Sequence, residues 1–154
     1  NYLSTGTPPG RLGNFHPNLS PYQVFDCSDG YIIIAVGNDG QFRRLCDLLG
    51  CPDLADAPDY ATNPARVSNR EKLDALLTDR TRVFSKADLL ATCETHGVPA
   101  GPINNLAEVF DDPQVQARGM RVDPQGVPGV RSPFRFSEAD LSLDRSSPKL
   151  GQDD

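Results

Sequence analysis

Apolar positions along the 154-residue chain change their period several times, and each change marks an element. Tyr22-Gln-Val-Phe-Asp-Cys-Ser and Tyr31-Ile-Ile-Ile-Ala-Val36 are β-rich runs separated by Asp29-Gly30. That pair favours a tight turn with positive φ, and so predicts an antiparallel hairpin near residues 22–36. The second run is apolar at nearly every position, which predicts a central strand covered on both faces. Gly37-Asn38-Asp39-Gly40 interrupts the pattern, and Asn38 or Asp39 can accept from the first free N–H groups of a helix. In that helix Phe42, Leu45, Cys46 and Leu49 form one apolar stripe, with Arg43, Arg44 and Asp47 outside it. Gly50 is a good end for it and Pro52 blocks continuation.

From Pro52 to Ser68 the pattern is irregular, with Tyr60 as its anchor. Asn69 is placed to cap a helix running to about Val83 that buries Leu73, Leu76 and Leu77. Ser85, with Asp88 three residues on, opens another that turns Leu89, Leu90 and Cys93 inward and stops at His96-Gly97. Residues 98–103 read as a turn-rich link, followed by short helices over 106–110 and 113–117. Residues 120–123 and 131–136 read as late strands across a Gly/Pro loop. The first 21 residues hold four prolines and three glycines with little periodicity, a connector that alone would be mobile. The resulting fold class is α+β: a small antiparallel sheet packed with several helices, flanked by irregular arms. The expected organisation is a linker arm over 1–21, a small domain over 22–112 and a return segment over 113–154.

Composition narrows the function classes. Lys and Arg number 15 against 21 Asp and Glu, a net charge of −6. Binding to a phosphate backbone needs clustered positive charge, so nucleic acid is disfavoured as a partner. No apolar run approaches the roughly 20 residues of a membrane span. The cysteines, Cys27, Cys46, Cys51 and Cys93, show no Cys-x-x-Cys spacing. With no signal-peptide pattern, they fit a reducing, cytoplasmic setting. The chain begins at Asn1 without an initiator Met, as a processed or excised piece would.

Candidate chemistry is sparse. His96 falls in a last helical turn, where an imidazole caps carbonyls. Cys93-x-x-His96 offers two ligands on one helix face, but a structural zinc needs four, so no metal is expected. Cys46 and Cys93 read as inert buried thiols, and Cys27, near the hairpin turn, as an exposed one with no cation to lower its pKa. His16, in Gly13-Asn14-Phe15-His16-Pro17-Asn18, is a loop histidine for which solvated and functional roles stay open. No Gly-x-Ser-x-Gly elbow aims a serine. Gly37-Asn38-Asp39-Gly40 could turn N–H groups toward an anion, yet lacks the glycine spacing of nucleotide loops and fits a strand-to-helix turn better.

Nine strings, taken in order, change this picture. They are residues 2–14, His16-Pro-Asn-Leu-Ser-Pro-Tyr22, Asp29 to Asp39, Gln41-Phe42, Ala61-Thr-Asn-Pro-Ala-Arg-Val67, Gly97 to Asn104, Asp112-Pro-Gln-Val, Arg118-Gly-Met120 and Ser132-Pro-Phe-Arg-Phe-Ser137, closed by Leu150-Gly151. Together they resemble the class III CoA-transferases (the CaiB/BaiF family), which include formyl-CoA:oxalate and carnitine CoA-transferases and α-methylacyl-CoA racemase. The resemblance covers nearly the whole chain but only the later part of members about 400 residues long. It implies a fragment of an enzyme that moves CoA between acyl-CoA thioesters and carboxylic acids. The family's catalytic aspartate and most of its CoA surface lie in an earlier large domain, so no catalytic residue is carried over. The chain alone is then expected to be inactive, with no tightly bound cofactor and CoA thioester as the full-length enzyme's substrate.

The resemblance also implies a homodimer in which a small-domain loop covers the opposing subunit's active site. Gly13, Asn14, His16 and Asn18 occupy that loop's place, with one glycine where the formyl transferase has a run. Asn38 and Asp39 are the other substrate-site candidates. In the racemase branch an acidic residue at the Asp39 position supports a proton-transfer histidine, although a helix-capping role fits the local Gly-Asn-Asp-Gly better. The alternatives are a stand-alone, non-catalytic binding module of the same fold and a fragment of a racemase.

Overall fold

The computed structural model describes residues 2–152, which divide into two compact units with the boundary between Ile103 and Asn104. A one-turn helix, α1 (Tyr2–Thr5), opens the first unit and buries nothing. Strands β1 (Tyr22–Cys27) and β2 (Gly30–Ala35) form the expected hairpin, in register from Tyr22 opposite Ala35 to Cys27 opposite Gly30. Strand β3 (Ala100–Ile103) adds to the free edge of β2, giving the order β1-β2-β3. The segment read as a turn-rich link is thus a strand. Pro102 has no N–H to give a ladder, and an edge is where a strand tolerates it.

Helices α2 (Asp39–Leu48), α4 (Arg70–Thr81) and α5 (Lys86–Thr95) supply the rest of the core, with α3 (Asn63–Ser68) leading into α4. Phe25, Ile32 and Ile34 from the sheet, with Val36 just after β2, meet Phe42, Leu45, Cys46, Leu73, Leu77, Leu89 and Cys93 from these helices. Each such side chain, fully buried, contributes about 1.5–3 kcal/mol. Strand β2 is central, as its composition predicts, but not covered on both faces. Ile32 and Ile34 have no exposure, whereas Ile33 and Ala35 are half-buried and Tyr31 is 53% exposed.

Several local expectations change. In α4, Leu73, Leu77 and Thr81 are buried at four-residue steps, and Leu76 stands 43% exposed. Asn69 occupies the cap position of α4, but its amide donates to the Asp59 and Ala65 carbonyls instead of capping. The stretch after Pro52 is more regular than its pattern implies: a 3-10 turn over Pro52–Ala55, then α3, capped by the Thr62 hydroxyl and opened by a proline. Cys27 is buried, not exposed, and burial pushes its thiol pKa up. His96 ends α5 with Nδ1 at 2.8 Å from the Thr92 carbonyl.

The second unit holds α6 (Leu106–Asp111), with a full capping box between Asn105 and Glu108, then α7 (Pro113–Ala117). Strands β4 (Arg121–Val122) and β5 (Gly129–Val130) pair across a Pro-rich turn. The second late strand therefore lies at 129–130 and not at 131–136, where Pro133 cannot donate to a ladder. Among the described residues no helix is long and apolar enough to cross a membrane.

Candidate functional site

The first unit carries both groups of site residues suggested by the sequence, and one stretch of helix anchors both. The arm turns at Gly13, whose φ of +62° favours glycine, and closes that turn with Phe15 N–H donating to the Leu12 carbonyl at 3.2 Å. Asn14 and His16 then lie along the free edge of β1. Val24 N–H donates to Asn14 Oδ1 at 3.0 Å, and His16 N–H to the Tyr22 carbonyl at 3.0 Å. An open strand edge is thereby partly satisfied by the arm.

The His16 ring stacks on Tyr22, with centroids 5.0 Å apart. Its Nδ1 accepts from Asn18 N–H at 3.1 Å, which assigns the proton of the neutral imidazole to Nε2. His16 is half-buried, whereas Gly13, Asn14 and Asn18 are exposed. The connector is therefore not loose here: its backbone is held while several of its side chains face outward.

What holds it comes from α3 and the start of α4. Asn63 grips the arm on both sides of Leu19, donating to the Asn18 carbonyl at 2.8 Å and accepting from Ser20 N–H at 3.2 Å. Arg70 donates to the His16 and Leu19 carbonyls at 2.7 and 3.0 Å and sits over the Phe15 ring. Arg66 has no accessible surface. It donates through Nε to the Ser20 carbonyl at 2.7 Å, through Nη1 to the Tyr60 carbonyl at 2.9 Å and through Nη2 to Asp39 Oδ1 at 2.7 Å. The guanidinium also lies over the Phe42 ring, 4.4 Å from its centroid. A buried cation is tolerated when its donors are spent this way.

Asn38 and Asp39 divide the work at the start of α2. Asn38, and not Asp39, is the cap: its Oδ1 accepts from Gln41 N–H at 2.9 Å, and Gln41 Oε1 in turn accepts from Gly37 N–H at 2.7 Å. Asp39 is the first helical residue, where a negative charge interacts well with the dipole, and it spends one oxygen on Arg66. Arg66 thus links the end of the arm to the turn that carries Asn38 and Asp39. Asn63 and Arg66 lie in one of the strings that carry the resemblance but were given no role there, and nothing in the sequence signals Arg70. No local periodicity reports a side chain that works across more than forty residues.

A cleft lined by Leu12, Pro17, Ser68, Arg70 and Lys72 lies between the arm and the start of α4. Among the described residues no three His, Cys, Asp or Glu side chains gather where they could hold a metal ion.

The sequence pattern of CoA-transferase family III matches residues 1–154. The chain is 54% identical to the succinate–glutarate CoA-transferase of Agrobacterium fabrum, over 99% of this chain and 39% of that protein. It is 38% identical to the human succinyl-CoA:glutarate CoA-transferase, over 99% of this chain and 36% of that one. The crystal structure of a CAIB/BAIF family protein from Brucella suis superposes with a TM-score of 0.90 at 59% identity, covering 98% of this chain and 40% of that one. The chain therefore spans well under half the length of these relatives. With its full length matched, it belongs to CoA-transferase family III.

Proposed function

We propose that these residues form the small-domain part of an acyl-CoA:carboxylate CoA-transferase, and that its acids are short dicarboxylates of the succinate and glutarate kind. In this arrangement residues 1–21 are the linker arm, 22–112 the small domain and 113–154 the segment leading back to a large domain. The covalent steps run on an aspartate outside these residues. The observation that carries the proposal is the arm at 13–18. Asn63, Arg70 and the Tyr22 carbonyl at the edge of β1 bind its backbone and Val24 N–H holds the Asn14 side chain, while Asn14 and Asn18 remain exposed. That is how a wall presented to another surface has to be built: fixed before contact, with accessible side chains facing outward.

Thioester exchange through an activated carboxyl competes with hydrolysis, so the reacting groups must be screened from water. Gly13, Asn14, His16 and Asn18 provide that screen over the active site of a second subunit, which makes the activity depend on a homodimer. Asn38 and Asp39 stand behind it as support, since both already have hydrogen-bond partners in this chain. Four free cysteines support a reducing, cytoplasmic location.

Co-expression with an N-terminal large domain, followed by an assay of CoA transfer from succinyl-CoA to glutarate, tests the proposal. Activity is expected only from the assembled pair. Transfer by this chain alone would overturn it, and an inactive assembled pair would favour a non-catalytic binding module.

A further inference from the structure

Three helices end in the same way. In α2, Cys51 N–H donates to the Cys46 carbonyl at 2.9 Å and Gly50 N–H to the Asp47 carbonyl at 3.1 Å, with Gly50 at φ +68°. In α5 the pairs are Val98 to Cys93 and Gly97 to Glu94, and in α7 Met120 to Val115 and Gly119 to Gln116. This crossed pair of bonds is the Schellman ending, and it brings the side chains of the two outer residues together. In α5 and α7 that contact holds at least one aliphatic or thioether side chain. In α2 both residues are cysteines.

The geometry points to Cys46 and Cys51 as a dithiol site that closes to a disulfide by exchange with a low-molecular-weight disulfide, Cys51 attacking first. A direct N–H to carbonyl bond between the two residues sets their Cα atoms near the roughly 4.4–6.8 Å at which cysteines bridge. The two thiols are close enough to influence each other's protonation. Cys51 is half-buried and Cys46 has no exposure, so only Cys51 can meet a reagent first. Its pKa is lowered by the neighbouring Cys46 thiol and by the Arg80 charge, against the opposing effects of burial and Asp47, while Cys46 is raised. The thiolate is the reacting form, so the pair is already divided into attacker and resolver.

In the first step the Cys51 thiolate attacks one sulfur of oxidised glutathione, an S–S bond forms, and one glutathione thiolate leaves. In the second, Cys46 gives its proton to solvent and attacks Cys51 Sγ, expelling the second glutathione. The protein dithiol is oxidised by two electrons and one glutathione disulfide is reduced to two thiols. No other oxidant is needed.

The folded 154-residue chain, incubated with oxidised glutathione and examined by intact mass and tryptic mapping, tests this. Both cysteines fall in one tryptic peptide, 45–66, which is expected to lose two hydrogens without retaining glutathione. Cys46→Ser is expected to stop at one glutathionyl group on Cys51, and Cys51→Ser to leave Cys46 at least about tenfold less reactive than Cys51 in the parent chain. Cys27 and Cys93, both buried, serve as internal controls and stay reduced. Free thiols at 46 and 51 after the chain denatured in the same reagent has reacted throughout would overturn the proposal. So would a mixed disulfide forming on Cys46 in Cys51→Ser as fast as on Cys51 in the parent chain.

Discussion

Arg66 and Asp39 meet at 2.7 Å, with no accessible surface on the arginine side chain and 59% exposure on the aspartate. The pair is lopsided: the desolvation cost falls almost wholly on the guanidinium, and Asp39 keeps much of its hydration. What makes Arg66 tolerable is that Ser20 and Tyr60 also give it carbonyl oxygens.

Arg66→Met should therefore be the most damaging change in this region, because it leaves two buried carbonyls and the end of the arm without their donor. A loss of about 3–5 kcal/mol is expected from urea unfolding. Asp39→Asn retains an acceptor on a hydrated side chain and should lose only about 1–2 kcal/mol. Equal losses for the two variants would show that the carboxylate, and not the carbonyl pair, is what holds the guanidinium.

The hairpin and α2 were legible because alternation, an Asp-Gly turn and an i, i+3, i+4, i+7 stripe are local signals. Strand β3 was not, since Ala-Gly-Pro-Ile holds a single strand former, Ile103, and becomes a strand only because β2 offers it an edge. The spacing puts Leu76 inside because a leucine three residues on from Leu73 fits a broad apolar face, whereas α4 buries a narrow one at 73, 77 and 81. In the site, Asn38 was readable from capping chemistry. Of the arm's candidates only His16 stood out by its own chemistry, Gly13, Asn14 and Asn18 came through the resemblance alone, and their anchors through neither. Arg66 reaches Ser20 across 46 positions and Arg70 reaches His16 across 54, distances over which sequence spacing carries no signal.

The arm's backbone should loosen when Arg70 is removed. Arg70→Ala deletes two charge-assisted hydrogen bonds to carbonyls and the contact with Phe15. Amide exchange at His16 and Ser20 should rise about tenfold, as the loss of roughly 1.4 kcal/mol implies, while amides of β2 exchange as before. Uniform acceleration across the unit would mean that Arg70 supports the core and not the arm.

Asp74 gives a stability effect whose sign follows from its surroundings. Both carboxylate oxygens are out of contact with water, and no well-formed hydrogen bond reaches them, Gln23 being only a weak neighbour. Burial raises the pKa above 3.8, and Gln23 and the Arg70 charge offset only part of that. A carboxyl whose folded-state pKa is raised binds its proton more tightly in the native state. Its favourable contribution is complete below the unfolded value and is lost as pH rises through the folded one. Asp74→Asn, neutral at every pH, should then be more stable than the parent at pH 7 by about 1 kcal/mol, read as a higher unfolding temperature. The advantage should shrink as the pH falls toward 3.8. A variant less stable at pH 7 would mean that the ionised carboxylate is compensated after all.

Gly13 separates the arm's conformation from its contacts. Its φ is +62°, and a Cβ built there meets nothing within 4 Å, so a side chain at this position acts through the backbone alone. Gly13→Ala should strain the turn by about 1 kcal/mol, because an L-residue in the left-handed region crowds its own carbonyl. Gly13→Asn should cost less, since asparagine visits that region more readily. Global unfolding should barely register either variant, as the turn lies outside the core. In the enzyme assembled with a large domain, transfer from succinyl-CoA to glutarate should fall in Gly13→Ala and recover much of the way in Gly13→Asn. The ordering alanine below asparagine below glycine is what a conformational role demands. Equal losses for both variants would mean that added bulk matters, and the loop would then have to pack tightly against its target instead of merely being held in shape.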